Sequence, residues 1–179
     1  MSPPEWLLNS GFPKELVVLL IAVLPVLELR VAIPVGINTF GMPWYHAFPL
    51  AFIGNLIPVP IIILFLEAIT RWLSKIEFFR RALDWLFEHT RRRGRIVEKY
   101  KRIGLVLFVA VPLPITGAWT GSLVANLFGL KFRHAFLSIL TGVFVAGLIV
   151  TGPSLLGWVG VVVAIAVFGI LAVFVLWKA

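Results

Sequence analysis

The sequence contains no cysteine, which excludes disulfides and thiolate metal sites and leaves the redox compartment unreadable. Charged residues make up only 13% of the chain, about half the usual share for a soluble domain. No His/Asp/Glu cluster has metal-ligand spacing, and no catalytic triad, phosphate-binding loop or dinucleotide fingerprint is visible. No enzyme activity, cofactor or metal is therefore expected. Met1 to Gly11 has no basic stretch and no small-residue cleavage site, so no cleaved signal peptide is expected. What remains is apolar. The 179 residues are 60% hydrophobic, with a mean hydropathy of +1.03, as in a single compact membrane bundle.

The net charge of +8 is concentrated in one place. Residues 71–102 hold 11 of the 16 Lys and Arg residues against four acids (Glu77, Asp84, Glu88, Glu98), a local charge of +7. Cationic loops stay cytoplasmic, so this arm is expected to face the cytoplasm. Nucleic acid is another conventional partner for such a patch. The arm lies between hydrophobic segments, beside anionic headgroups, and this favours membrane lipid over nucleic acid. Arg91, Arg92, Arg93 and Arg95 are its anionic-lipid candidates, or simply a topology anchor. Within residues 73–90, Leu73, Ile76, Phe79, Leu83 and Leu86 recur at helical spacing. That pattern fits a surface-lying amphipathic helix or one packed on the bundle.

Four apolar blocks follow at about 14–37, 44–70, 103–128 and 132–177. A crossing takes ~20 apolar residues. Block 44–70 is long enough, and the last block divides at Gly152–Pro153 into helices 132–151 and 155–177. The first block is interrupted by Pro25, Glu28, Arg30 and Pro34. The third is interrupted by Pro112, Pro114 and the small polar run from Thr116 to Ser122. Non-helical backbone at membrane depth must be buried in protein or line a wet cavity, so both blocks read as re-entrant hairpins. Only a re-entrant third block keeps Lys131, Arg133 and Lys178 all on the cytoplasmic side. The same logic puts the N-terminus outside and the C-terminus inside.

Residues 38–54 and 126–142 are two copies of one pattern, 88 positions apart, with seven identities in 17 ungapped positions. Asn38, Phe40, Gly41, His46, Ala47, Phe48 and Gly54 recur as Asn126, Phe128, Gly129, His134, Ala135, Phe136 and Gly142. One crossing separates the copies, so the repeats are expected to be inverted, with their hairpin tips meeting near the midplane. The expected fold is an all-α integral membrane protein. Repeat one covers 12–72, the basic arm 73–102, repeat two 103–151 and a C-terminal transmembrane helix 155–177.

Glu28 and Arg30 are the foremost functional candidates, because charge at membrane depth costs about 2.5–3.5 kcal/mol per residue on insertion scales. Two residues apart, they share one side only in an extended or broken segment, which the flanking prolines favour. Arg30 could hold an anion such as phosphate, with Glu28 as counter-ion or proton carrier. A purely structural ion pair is the alternative. In the second hairpin, Pro112, Pro114, Thr116, Gly117, Thr120, Gly121 and Ser122 could form an anion site at a half-helix start, or could serve close packing. By the offset of 88, Thr116 corresponds to Glu28 and Ala118 to Arg30. Asn55 could line the cavity. Asn38 and Asn126 suit capping, His46 and His134 interfacial structure, and Glu67 a pair with Arg71.

The stretches 24–36 and 111–122, with Gly54–Asn55, resemble the small multidrug export family, itself similar to the DedA superfamily. The DedA resemblance implies two facing re-entrant hairpins and the handling of phospholipid or a polyprenyl-phosphate carrier, coupled or not to protons. It places functional charge on Glu28 and Arg30. The second hairpin departs from that pattern, having no acid or arginine between Arg102 and Lys131. The reading that follows is a transporter or scramblase for an anionic lipid or lipid phosphate, with Glu28, Arg30, Pro34 and Asn55 meeting the second hairpin. A small-molecule exporter and a non-transporting membrane scaffold are the alternatives. Gly and aromatic positions on 155–177 permit a homodimer.

Overall fold

The structure is a computed structural model that describes residues 13–73, 94–112 and 116–178. Among the described residues every regular element is helical. In chain order they are α1 (Lys14–Val23), α2 (Glu28–Pro34) continued by a π-helical turn (Val35–Thr39), α3 (Trp44–Leu56), α4 (Pro58–Leu73), α5 (Gly94–Ala110), α6 (Ala118–Leu127), α7 (Phe132–Ser154) and α8 (Gly157–Lys178).

Two stretches, Trp44–Leu66 and Phe132–Ser154, are 23 residues each and apolar enough to cross a membrane. At 1.5 Å per residue each extends about 35 Å. The first combines α3 and most of α4. Ile57 still donates to the Ile53 carbonyl at 3.1 Å, so the turn before Pro58 does not end the run. By contrast, α1 has 10 residues and α2 only seven, too short for either to cross alone. Both halves of the first apolar block thus fold as short helices joined at residues 24–27.

The two copies of the repeated pattern have the same local backbone. Gly41 and Gly129 both take φ 64°, a left-handed turn that a side chain would strain. Pro43 and Lys131 then precede α3 and α7 with the same angles, φ −61° and ψ 143°. The amides of His46 and His134 donate to the carbonyls of those residues at 2.9 Å. The matched Gly54 and Gly142 serve helix crossing instead. A Cβ on Gly54 would lie 2.6 Å from the Leu19 carbonyl oxygen of α1, and one on Gly142 would lie 2.7 Å from Val109 Cβ of α5. Small residues let these backbones approach, as is usual where lipid supplies no hydrophobic drive between helices. Gly54→Val and Gly142→Val should each cost about 1–3 kcal/mol by overpacking. Thermal unfolding in detergent, read beside Gly152→Val, where a Cβ would meet nothing within 4 Å, checks this.

Three expectations are corrected. The predicted break at Gly152–Pro153 is absent: α7 runs through Pro153 to Ser154, and the chain turns at Leu155–Leu156 before Gly157 at φ 78°. Pro153 lies in the final turn of α7, and the helix ends one residue after it. Pro34 does not flank the first charged segment; it is buried inside α2, and the helix widens into the π turn directly after it. Arg30 is accordingly helical, not extended. The backbone break is at Glu28 itself, a non-glycine residue at φ 49°.

The core is built from the short helices and the crossing stretches together. Leu29 and Ile33 of α2, Val109 of α5, Ala118 of α6, and Ile139 and Val143 of α7 are buried in one cluster. Beyond their own repeats, α2 packs on α7 and α6 packs on α4. The predicted amphipathic helix beyond Leu73, Pro114, and Arg91 to Arg93 fall outside the described residues, as do the side chains of Glu67, Arg71 and Arg95.

Candidate functional site

The start of α2 and the start of α6 face each other, and the buried charge among the described residues is there. Glu28 is 4% exposed. Its left-handed backbone departs from the helix it begins, a conformation that a bulky side chain adopts only when its surroundings enforce it. The carboxylate is directed at the N-terminus of α6. Oε1 accepts from the Trp119 amide at 3.4 Å, and the Ala118 amide and the Asn55 side chain also donate to the carboxylate. Unpaired amides and the helix dipole make this end attractive to an anion. Gly117, the residue before α6, makes the approach possible. At φ 145° it occupies backbone space that side chains avoid, and a Cβ there would lie 2.6 Å from Glu28 Cδ.

Arg30 lies 4.0 Å from Glu28 and donates through Nη2 to both the carbonyl oxygen and the hydroxyl of Thr116, the latter at 3.0 Å. The Thr116 hydroxyl in turn donates to the Val111 carbonyl, which ties the two sides of the interruption between α5 and α6. Trp119 adds a further strut: its indole N–H donates to the Val23 carbonyl at the end of α1, at 3.1 Å. Asn55 is 1% exposed, and its Oδ1 has no hydrogen-bond partner. The space bounded by Glu28, Arg30, Asn55, Gly117, Ala118 and Val143 leaves no room for a water molecule.

Of the sequence candidates, the structure brings together Glu28, Arg30, Asn55, Thr116 and Gly117. Pro112 stands at the edge of the adjoining cleft described below. Pro34 is buried. Gly121 and Ser122 follow the first residues of α6. A Cβ on Gly121 would lie 2.6 Å from Val109, and Ser122 donates to the Ala118 carbonyl at 2.7 Å. Thr120 Oγ1 is buried with no hydrogen-bond partner. Sequence reasoning missed Trp119, whose amide and indole bond to Glu28 and Val23. A tryptophan next to glycines in an apolar run carries no mark that separates a bridging role from an interfacial one.

Beside the junction a cleft of about 270 Å³ opens between α2, α7 and α8. Its walls are Val26, Leu27, Val31, Pro112, Ile149, Val150, Val161, Ala164 and Ile165 among others, and among the described residues Arg30 is its one charged member. Arg30 therefore borders two spaces, the tightly packed junction and the roomier apolar cleft.

The family described as "Putative small multi-drug export protein" matches residues 28–149, more than half of the chain. The chain belongs to that family. The matched region begins at Glu28 and takes in the whole junction. Neither a curated protein nor a solved structure matches the chain. The family description is of an exporter, a transport class and not an enzyme class, and with the two apolar crossing stretches it agrees with a membrane location.

Proposed function

We propose that this member of the export family is a membrane transporter or scramblase for an anionic amphiphile, a lipid or lipid phosphate. The observation that carries the reading is the double position of Arg30. A headgroup phosphate at Arg30 would have its acyl chain along the apolar cleft, whose wall offers no other charge among the described residues. In the closed junction the places for such an anion are already filled. Glu28 covers the α6 N-terminus, and Thr116 occupies the Arg30 guanidinium. Substrate phosphate would compete with these internal partners, and protonation of Glu28 would remove one of them. Asn55 suits both protonation states, since its amide donates to a carboxylate and, once rotated, its carbonyl accepts from a carboxylic acid.

The proposed architecture is a pair of inverted repeats with a re-entrant hairpin in each, the basic arm and C-terminus cytoplasmic and the N-terminus outside. Contact partners support a two-fold relation between the repeats, and the placement of the basic residues supports its inversion. Offset 88 equates Glu28 with Thr116 and Arg30 with Ala118, yet Glu28 meets Ala118 and Arg30 meets Thr116. A two-fold axis exchanging the repeats converts the first contact into the second, as at an isologous interface. The packing of α2 on α7 and of α6 on α4 is exchanged in the same way.

Reconstitution in liposomes with a panel of leaflet-labelled lipids tests the reading. The wild type should move anionic lipid faster than zwitterionic lipid, and Ala164→Trp, which fills the cleft, should reduce that movement at least tenfold. The second reading, export of a small amphiphilic molecule, is favoured by the cleft volume and the family description. It predicts movement of a soluble dye and none of lipid.

A further inference from the structure

The two repeat copies fold alike at their hairpin exits but differ in charge, and the difference points to a lipid site. In the second copy Lys131 and Arg133 flank the start of α7, and Lys101 and Arg102 of α5 lie against the same turn. Lys101 donates to the Phe128 carbonyl at 2.9 Å with its ammonium 5.8 Å from the Phe128 ring centroid, and Arg102 donates to His134 Nδ1 at 2.9 Å. At the equivalent positions the first copy has Pro43, Tyr45, Pro13 and Lys14, one cation where the second has four. Gly41 and Gly129 nevertheless turn at the same φ of 64°, so the extra cations are not needed to build the turn. Lys131 and Arg133 are exposed, beside the exposed apolar rings of Phe128 and Phe132. Cations level with the end of a crossing helix, next to apolar rings, match the headgroup and first methylenes of a lipid.

We infer that the exit turn of the second hairpin, through Lys131 and Arg133, binds the headgroup of an anionic phospholipid in the adjoining leaflet. The inference rests on α7 crossing the membrane and not on the transport reading. The test is to purify the full chain from mixed phosphatidylglycerol and phosphatidylcholine nanodiscs and to titrate retained phosphatidylglycerol by native mass spectrometry. Lys131→Gln with Arg133→Gln should weaken one phosphatidylglycerol site by about 30-fold, at ~1 kcal/mol per cation. Lys14→Gln, the one cation at the equivalent positions of the other copy, and Lys131→Arg with Arg133→Lys should leave the site unchanged. Unaltered retention in the double Gln variant, at unchanged unfolding temperature, overturns the proposal. So does equal displacement of the lipid by soluble glycerol phosphate, which would make the ligand a free phosphate. Arg30→Ala should not alter this site, so failure of the transport reading is seen separately.

Discussion

Gly117→Ala should be among the most damaging single-methyl changes available in this chain. Two independent costs coincide there. The backbone at φ 145° strains any residue with a Cβ, by about 1–3 kcal/mol. The added methyl would also overlap the Glu28 carboxylate, which cannot move without leaving the α6 amides and Asn55. Overpacking adds a further cost of about 1–3 kcal/mol. The expected result is a loss of roughly 2–6 kcal/mol, read as a fall in unfolding temperature in detergent. Gly117→Ala should cost less in a Glu28→Ala background than in the wild type, because the clash disappears while the backbone strain persists. An equal cost in both backgrounds would show that the close approach of Glu28 to Gly117 is not what the glycine serves.

Arg30→Ala has the second large expected effect. Glu28 would keep its α6 amides but lose the cation 4.0 Å away, in a junction that admits no water. Removing one partner of a buried pair costs about 3–5 kcal/mol, because the remaining charge is uncompensated. Glu28→Gln in the Arg30→Ala background should therefore restore stability. The double-mutant cycle should give a coupling on the order of 1–3 kcal/mol. A coupling near zero would mean that the two residues stabilise the junction independently, with Thr116 sufficient for Arg30 and the α6 amides sufficient for Glu28.

These two residues were legible in the sequence because a charge inside an apolar block has few reasons to be there. The repeated pattern was legible for a related reason. Gly41 and Gly129 stand where the turn demands left-handed backbone, and Gly54 and Gly142 where helices cross at backbone distance. Composition at those positions follows from local geometry. The pairing across the junction was not legible. A constant offset of 88 tells which residues are equivalent, whereas contact depends on the operation that relates the copies. Equivalence set Thr116 opposite Glu28, and in the fold Thr116 bonds Arg30. Pro153 misled because composition does not tell whether a helix ends before a Gly–Pro pair or just past it, and α7 ends one residue past it. Trp119 went unnoticed because its two bonds run to residues 91 and 96 positions away, and nothing local signals them.

The central claim is that the Glu28–Arg30 junction works on an anionic amphiphile. Its most direct test is the rate at which labelled phosphatidylglycerol changes leaflet in liposomes containing equal amounts of folded wild type, Arg30→Ala/Glu28→Gln and Arg30→Lys. Wild type should move the lipid, and the double variant, whose stability the Gln restores, should fall to the rate of protein-free vesicles. Arg30→Lys should retain a reduced rate, since it keeps the charge but not the paired donors. Movement by the double variant at the wild-type rate would contradict the account and leave the buried pair a structural one.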